Sequence, residues 1–331
     1  MEKYEHLIGG FTGGITSTIV CHPLDLLRIR YSANDGNRQR PQYRNYWHAT
    51  QSIVLSKGYK GLYQGLSPNL IGSALSWGFY FQFYHIIKNI CEEKTISTGT
   101  EPLDNVLLGM ITGAGILMFT NPIWVAKTRL CLQYENERVK YRGLLNCLST
   151  VVRNEGIIAL YRGFTPGVIG TIHGAIQFML YNRFKDDRLK RLELPANHIL
   201  VLSSRAFVMF WIYNDGCQLS DHLVINLRYW QLLQRNHGAL KDTADCLIYS
   251  AASKVIATTI TFPYQVLRTR LQDHHTKYNG ICDLISKTYG VEGVRGFYKG
   301  LLMGNLRQLP NVIVTYVTYE NVRYLVRHFS Q

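Results

Sequence analysis

The chain has 331 residues, 47% of them hydrophobic, a formal net charge of +14 and a mean hydropathy of −0.06. Such an average matches a soluble protein of two domains, and the charge permits a nucleic-acid binder. Two observations argue against both: the basic residues are spaced among apolar segments instead of forming one tail or stripe, and residues 68–87 run about 20 residues without a charge, the length a bilayer span needs.

Taken in order, the chain opens on a glycine-rich helix from Ile8, with Gly9, Gly10, Gly13 and Gly14 spaced for close helix packing; no lysine-threonine pair follows that would make a phosphate loop. It shows no cleavable-looking leader. The helix continues into Pro23-Leu24-Asp25-Leu26-Leu27-Arg28-Ile29-Arg30, where the proline predicts a kink and Asp25 and Arg28 share a face. A polar connector (31–46) and a short amphipathic piece near 47–55 follow, then Gly58, Tyr63 and Gly65 ahead of a long apolar helix that ends on Tyr84-His85 and Lys88. The first connector and short helix carry Arg38, Arg40, Arg44, Lys57 and Lys60 against Asp35 alone, whereas residues 88–104 have Lys88 and Lys94 against Glu92, Glu93, Glu101 and Asp104; this places the long basic loops on one side of a membrane and the termini on the other.

The same marks return twice. Pro122-Ile123-Trp124-Val125-Ala126-Lys127-Thr128-Arg129 and Pro263-Tyr264-Gln265-Val266-Leu267-Arg268-Thr269-Arg270 repeat the proline stretch. Gly156, Tyr161, Gly163 and Gly293, Tyr298, Gly300 repeat the glycine-tyrosine spacing, and Tyr181 with Lys185 and Tyr319-Glu320 with Arg323 repeat the closing turn. A fixed period of this kind decides the fold before local propensity does. The expectation is an all-α membrane protein, with six transmembrane helices in three pseudo-symmetric repeats over 4–94, 101–192 and 241–329. Residues 193–240 are left as an insertion or linker; their apolar run 199–213 is short for a span and interrupted by Arg205, which predicts an extra loop or surface helix on the side of the termini.

The seven cysteines, Cys21, Cys91, Cys131, Cys147, Cys217, Cys246 and Cys282, form no Cys-x-x-Cys pair, so neither a disulfide framework nor a zinc site is expected. His274-His275 reads as a solvated loop pair, with no metal, and no nucleophile, base and orienting group announce an enzyme.

These motifs resemble the mitochondrial carrier family, whose repeat signature is Pro-x-acidic-x-x-basic-x-basic, a glycine-aromatic-basic-glycine stretch and an aromatic-acidic-x-x-basic turn; the likeness covers nearly the whole chain outside roughly 195–240. The resemblance implies the carrier fold, alternating access, a monomer in the lipid bilayer of the mitochondrial inner membrane with termini toward the intermembrane space, and a small anionic substrate without cofactor or nucleic acid. It implies a matrix gate built from Asp25, Arg28, Trp124, Lys127, Gln265 and Arg268, braced by Gln272. In it Asp25–Lys127 is the one acid-base pair, Gln265 accepts a hydrogen bond from Arg28, and Trp124 offers its ring to Arg268. A cytoplasmic gate would use Lys88, Lys185, Glu320 and Arg323, with Glu320–Lys88 its complete pair because His85 and Asn182 replace acids.

By the same likeness the substrate turn lies seven residues after Gly65, Gly163 and Gly300, at Gly72, Gly170 and Arg307. Arg307 with Gln308 and Asn311 is the anion-binding candidate, a cation deep in an apolar helix with no acid nearby in sequence. Gly72 with Ser76, and Gly170 with Thr171, leave room; Tyr80 is a ring for stacking, and His173 is either a ligand or a helix-helix hydrogen bond. Residues 75–81, 122–129, 173–179 and 263–273 resemble the FAD and folate carrier group most. FAD is therefore the leading expectation, with folate or tetrahydrofolate, a pyrimidine nucleotide or NAD as alternatives, and a basic membrane-associated or nucleic-acid-binding structural protein as the reading from a different class.

Overall fold

The computed structural model describes residues 5–36, 40–41, 43–93, 101–134, 140–191, 237–276 and 278–328; residues 193–236 of the expected insertion and residues 94–100 of the expected connector lie outside them. Among the described residues the chain is helical without strands, and one pattern recurs. A long helix with a proline inside it comes first: α1 (Glu5–Ala33, Pro23), α4 (Glu101–Cys131, Pro122) or α8 (His237–Gln272, Pro263). A 12-residue helix follows: α2 (Tyr46–Lys57), α5 (Leu144–Glu155) or α9 (Ile281–Glu292). A 3-10 turn over Tyr59–Tyr63, Ile157–Tyr161 or Val294–Tyr298 then leads to a second long segment. That segment is α3 (Leu66–Glu93), the pair α6 (Phe164–Ile169) and α7 (Ile172–Arg191), or α10 (Leu301–His328).

Glycine sets the start of each second segment. Gly65 and Gly300 have φ of 83° and 92°, a left-handed region that other residues enter at a cost, and a Cβ on Gly300 would fall 2.9 Å from the Arg28 carbonyl oxygen. The middle repeat is broken where the others are continuous. At Gly170-Thr171 the ladder tightens, with the Thr171 amide and hydroxyl both donating to the Val168 carbonyl, at 3.0 and 2.7 Å.

The chain forms two compact units, one of residues 21–172 with 261–307, the other of 1–20, 173–260 and 308–331. In the second unit, α1 and α10 approach closely through Gly9 and Gly13, whose Cβ positions would meet the Tyr319 ring at 2.9 Å and the Thr315 carbonyl at 2.8 Å.

The distribution of polarity is inverted relative to a soluble protein. Arg30, Arg129, Arg270, Asp25, Lys127, Gln177 and Lys254 are buried, while Ile111, Met118 and Phe119 on α4, Ile256 and Ile260 on α8, and Ile313 and Val317 on α10 face outward at helical spacing. One described helix, over Leu107–Cys131, is long and apolar enough to cross a bilayer by composition alone. The others keep charges and amides on an inward face, which lowers their mean hydropathy without removing the apolar outer face.

Candidate substrate site and gate

The proline stretches meet in the first unit as a ring. Asp25, one turn before Arg28 on α1, accepts a hydrogen bond from Lys127 Nζ on α4 at 2.6 Å, and its other oxygen lies 3.3 Å from Arg28. Arg28 in turn donates to Gln265 Oε1 on α8 at 2.7 Å. The first and third helices are thus each tied to the next by the residue at the acid position. The remaining link fails: Trp124 occupies that position on α4, and its ring takes Lys127 Nζ of its own motif, 5.2 Å from the centroid, instead of Arg268. Lys127, one turn along the same helix, is the nearer cation. Gln272 Oε1 accepts from the Thr128 hydroxyl at 2.7 Å, beside Lys127.

A second ring of arginines lies under the first, and sequence reasoning missed its role. Arg30, Arg129 and Arg270 are buried, and each reaches the carboxyl end of the next proline helix. Arg30 Nε donates to the Cys131 carbonyl at 3.1 Å, Arg129 Nε to Gln272 at 3.3 Å, and Arg270 Nε to Ser32 at 3.0 Å. Helix ends leave such carbonyls unsatisfied and carry partial negative charge, so a cation there is favoured. Two of the three are also held by carboxylates: Arg129 Nη2 by Glu155 at 2.8 Å and Arg270 Nη2 by Glu292 at 2.9 Å. In the first repeat Lys57 stands in the glutamate's place and caps the Gln133 and Tyr134 carbonyls itself, at 3.0 and 3.1 Å. The signal was in the sequence, as the residue before each of Gly58, Gly156 and Gly293.

Arg307 enters the first ring from α10. Its Nη1 is 3.6 Å from Asp25, so the arginine that has no acid near it in sequence has one in space, because the kink at Pro23 lies beside its turn of α10. Asp25 is therefore shared by Lys127, Arg28 and Arg307. Gln308 donates to the Thr258 hydroxyl at 3.0 Å, and the Asn311 carbonyl accepts from Thr315 at 2.8 Å. His173 hydrogen-bonds the Ala257 backbone, a bond from α7 to α8.

The glycines at the substrate turn do not leave the room expected of them. A Cβ on Gly72 would sit 3.2 Å from Ile123 and 3.5 Å from the Trp124 ring, and one on Gly170 would fall 2.3 Å from the Tyr264 ring. The residue after each motif proline and the tryptophan fill these notches, so glycine serves close packing of the proline helix on its neighbour. Ser76 is half-buried and Thr171 caps its own helix break. The side chains of Tyr80, Lys88, Lys185, Glu320 and Arg323 lie outside the described residues.

Below the rings the three connectors converge on Asp273. Its Oδ2 accepts from Arg40 Nη2 at 2.6 Å, its Oδ1 lies 2.7 Å from His275 Nδ1, and the His274 ring stands 3.9 Å from that of His275 and 5.5 Å from Tyr141. The histidine side chains are only 7% and 9% exposed, which corrects the expectation of a solvated pair; the loop folds back under α8 and the rings pack against Tyr134 and Tyr141. Burial pushes the His274 ring down to about 3, so it is neutral at physiological pH, and the charges of its neighbours His275, Lys140 and Arg129 act in the same direction. Burial alone would raise Asp273, but the hydrogen bond from His275 and the charge of Arg40 outweigh it and hold the carboxyl below its usual range. Donor atoms of Asp273, His274 and His275 lie within 4.8 Å of one another, and the carboxylate among them already has Arg40 as its partner.

The family model for mitochondrial carrier protein matches residues 1–95, 99–191 and 241–330. The chain belongs to the mitochondrial carrier family. Its members are transporters and not enzymes, and the family carries the six-helix carrier fold. Among relatives, a folate transporter named chloroplastic, from Arabidopsis thaliana, is 31% identical over 98% of this chain and 96% of its own length. A nicotinamide adenine dinucleotide transporter named chloroplastic, from the same plant, is 30% identical over 97% of this chain and 91% of its own length. A mitochondrial FAD carrier protein of Saccharomyces cerevisiae is 27% identical over 97% and 96%.

Proposed function

We propose that this carrier moves FAD across the mitochondrial inner membrane by alternating access, its termini toward the intermembrane space. The observation that carries the reading is the charge of the proline ring. One acid, Asp25, is shared by three cations, Arg28, Lys127 and Arg307, and the basic residue of the third proline stretch, Arg268, is a fourth with two buried donors unpaired, in a segment where uncompensated charge is expensive. A substrate bearing two negative charges close together, as a pyrophosphate does, offsets most of that excess. Arg307 is the anchor: its planar fork suits paired oxyanions, and it is held weakly enough, at 3.6 Å from Asp25, to exchange partners. With Arg307 drawn onto the substrate, the substrate's own negative charges compete with Asp25 for Lys127 and Arg28, which links binding to opening. The three repeats occupy 4–94, 101–192 and 241–329, with Lys88, Lys185, Glu320 and Arg323 closing the opposite side.

Folate is the second reading, favoured by the 31% identity to a folate transporter, since its two carboxylates meet the same charge requirement. Purified protein in liposomes, offered FAD and folate separately, distinguishes them: saturable uptake of FAD with folate excluded supports the first reading, and the reverse pattern supports the second.

A further inference from the structure

We infer that Arg268 is a second oxyanion-binding point, a role created by Trp124 in the position where a carboxylate would otherwise neutralise it; this rests on the proposal that the substrate is an anion. The ring supplies the argument. Asp25 on α1 reaches Lys127 on α4, and Gln265 on α8 reaches Arg28 on α1, so each acid-position residue serves the basic residue of the next proline helix. The same step from α4 leads from Trp124 to Arg268. Trp124 has no acceptor to give, and its ring is engaged with Lys127.

Arg268 is left with Nε and Nη2 buried and without a hydrogen-bond partner. A guanidinium carries five donors in a fixed fork, and burying two of them unsatisfied is costly unless an acceptor arrives. The group lies beside Gly167 of α6, where a Cβ would be in ordinary contact with it, 3.5 Å from both Cζ and Nε. One turn further along, Gly170 carries the Tyr264 ring and the segment breaks at Thr171. The unpaired donors are therefore next to the substrate turn. A phosphate or carboxylate oxygen is the chemistry that completes it, while Arg307, on another helix of the same unit, takes the other end of a dianion.

The comparison of Asp with Asn at position 124 tests this by charge alone. Trp124→Asp supplies Arg268 with the carboxylate that the ring geometry assigns to it, and Trp124→Asn removes the same ring without the charge. Protection against thermal unfolding by FAD, by folate and by inorganic pyrophosphate is titrated for both variants in detergent, and FAD uptake is measured in liposomes. Trp124→Asp should bind about tenfold more weakly than Trp124→Asn for whichever oxyanion protects, with a rise in KM larger than the fall in kcat. Arg268→Gln should lose the same protection, with Arg268→Lys restoring part of it; this pair decides the matter if the Asp variant fails to fold. Equal affinity in the Asp and Asn variants, or unaltered protection in Arg268→Gln, overturns the proposal, as does a wild-type protein protected by none of the three. Loss of pyrophosphate protection in a protein that transports neither FAD nor folate would uphold the Arg268 site while ending the substrate reading.

Discussion

Arg307 and His274 show how surroundings change what a residue can do. Arg307→Ala removes the anchor while Asp25 keeps Lys127 and Arg28, so the ring stays closed. Uptake should fall by more than about a hundredfold, on the order of 3 kcal/mol for a charged hydrogen-bonded contact, and Arg307→Lys should sit between because it keeps the charge and loses the fork. Initial uptake rates, with insertion checked by carbonate extraction, measure this; full uptake by the alanine variant contradicts the assignment. His274 has a different signature. Its neutral ring is the form the fold accepts, with a folded value about 3 set against an ordinary 6.5. Between those values the unfolded chain binds the extra proton, so stability is fully present above pH 6.5 and declines as pH falls toward 3. From pH 6.5 to 5 the loss is on the order of 2 kcal/mol. His274→Asn should flatten that part of the thermal-stability profile, and an unchanged profile would show that the ring takes up its proton elsewhere. The contacts of Asp25 with Lys127 and of Arg28 with Gln265 were legible through the resemblance to the carrier signature, which implies that the acid position of each repeat serves the base of the next. The burial of His274 was not, since it depends on connectors from different repeats folding over one another.

The elements were legible where a repeat fixed them. Three prolines, three glycine-tyrosine spacings and three short helices follow from equal offsets, and the helices α1, α4 and α8 carry their prolines where the pattern puts them. What the pattern left open is where the repeats differ: the break at Gly170-Thr171, and the replacement of glutamate by Lys57. These are local exchanges that periodicity averages away. They also make a prediction. Glu292 holds Arg270 at 2.9 Å and Lys299 at 3.0 Å, so Glu292→Gln leaves a buried arginine short of its counter-charge. A cost of about 3 kcal/mol and a fall of several degrees in the unfolding temperature are expected. Lys57→Gln, which removes a cap from two carbonyls that Arg30 and Gln64 also contact at Gln133, should cost about 1 kcal/mol. Thermal unfolding in detergent gives both values; a larger loss from Lys57→Gln would contradict this account of the arginine ring. Residues 193–240 separate repeats whose motifs are complete on either side, and deleting residues 198–238 should leave an inserted carrier that still transports.

For the whole molecule, the residues at the acid position of the proline ring make one ion pair and one hydrogen bond to the next helix, Asp25–Lys127 and Arg28–Gln265, while the third side has no acid there and is joined by the Thr128–Gln272 hydrogen bond. The empty carrier must break these bonds to change sides without substrate. Each complete bridge in a wet site adds about 1 kcal/mol to that barrier, roughly a fivefold change in rate. A carrier with such a light ring should perform net import without a counter-substrate. Trp124→Asp with Gln265→Glu should then suppress uptake into empty liposomes more than exchange into preloaded ones, both at saturating substrate so that altered affinity does not enter; an equal fall in the two would count against a light ring as the cause. The central claim, that one acid among four cations marks a carrier of a dianion joined to a flat heterocycle, is tested most directly by uptake into liposomes holding the purified protein. FAD, flavin mononucleotide, folate and a pyrimidine nucleotide are offered side by side. The account predicts saturable FAD uptake that is lost in Arg307→Ala; absence of FAD uptake by a protein that moves another of the four, or transport that survives the loss of Arg307, would contradict it.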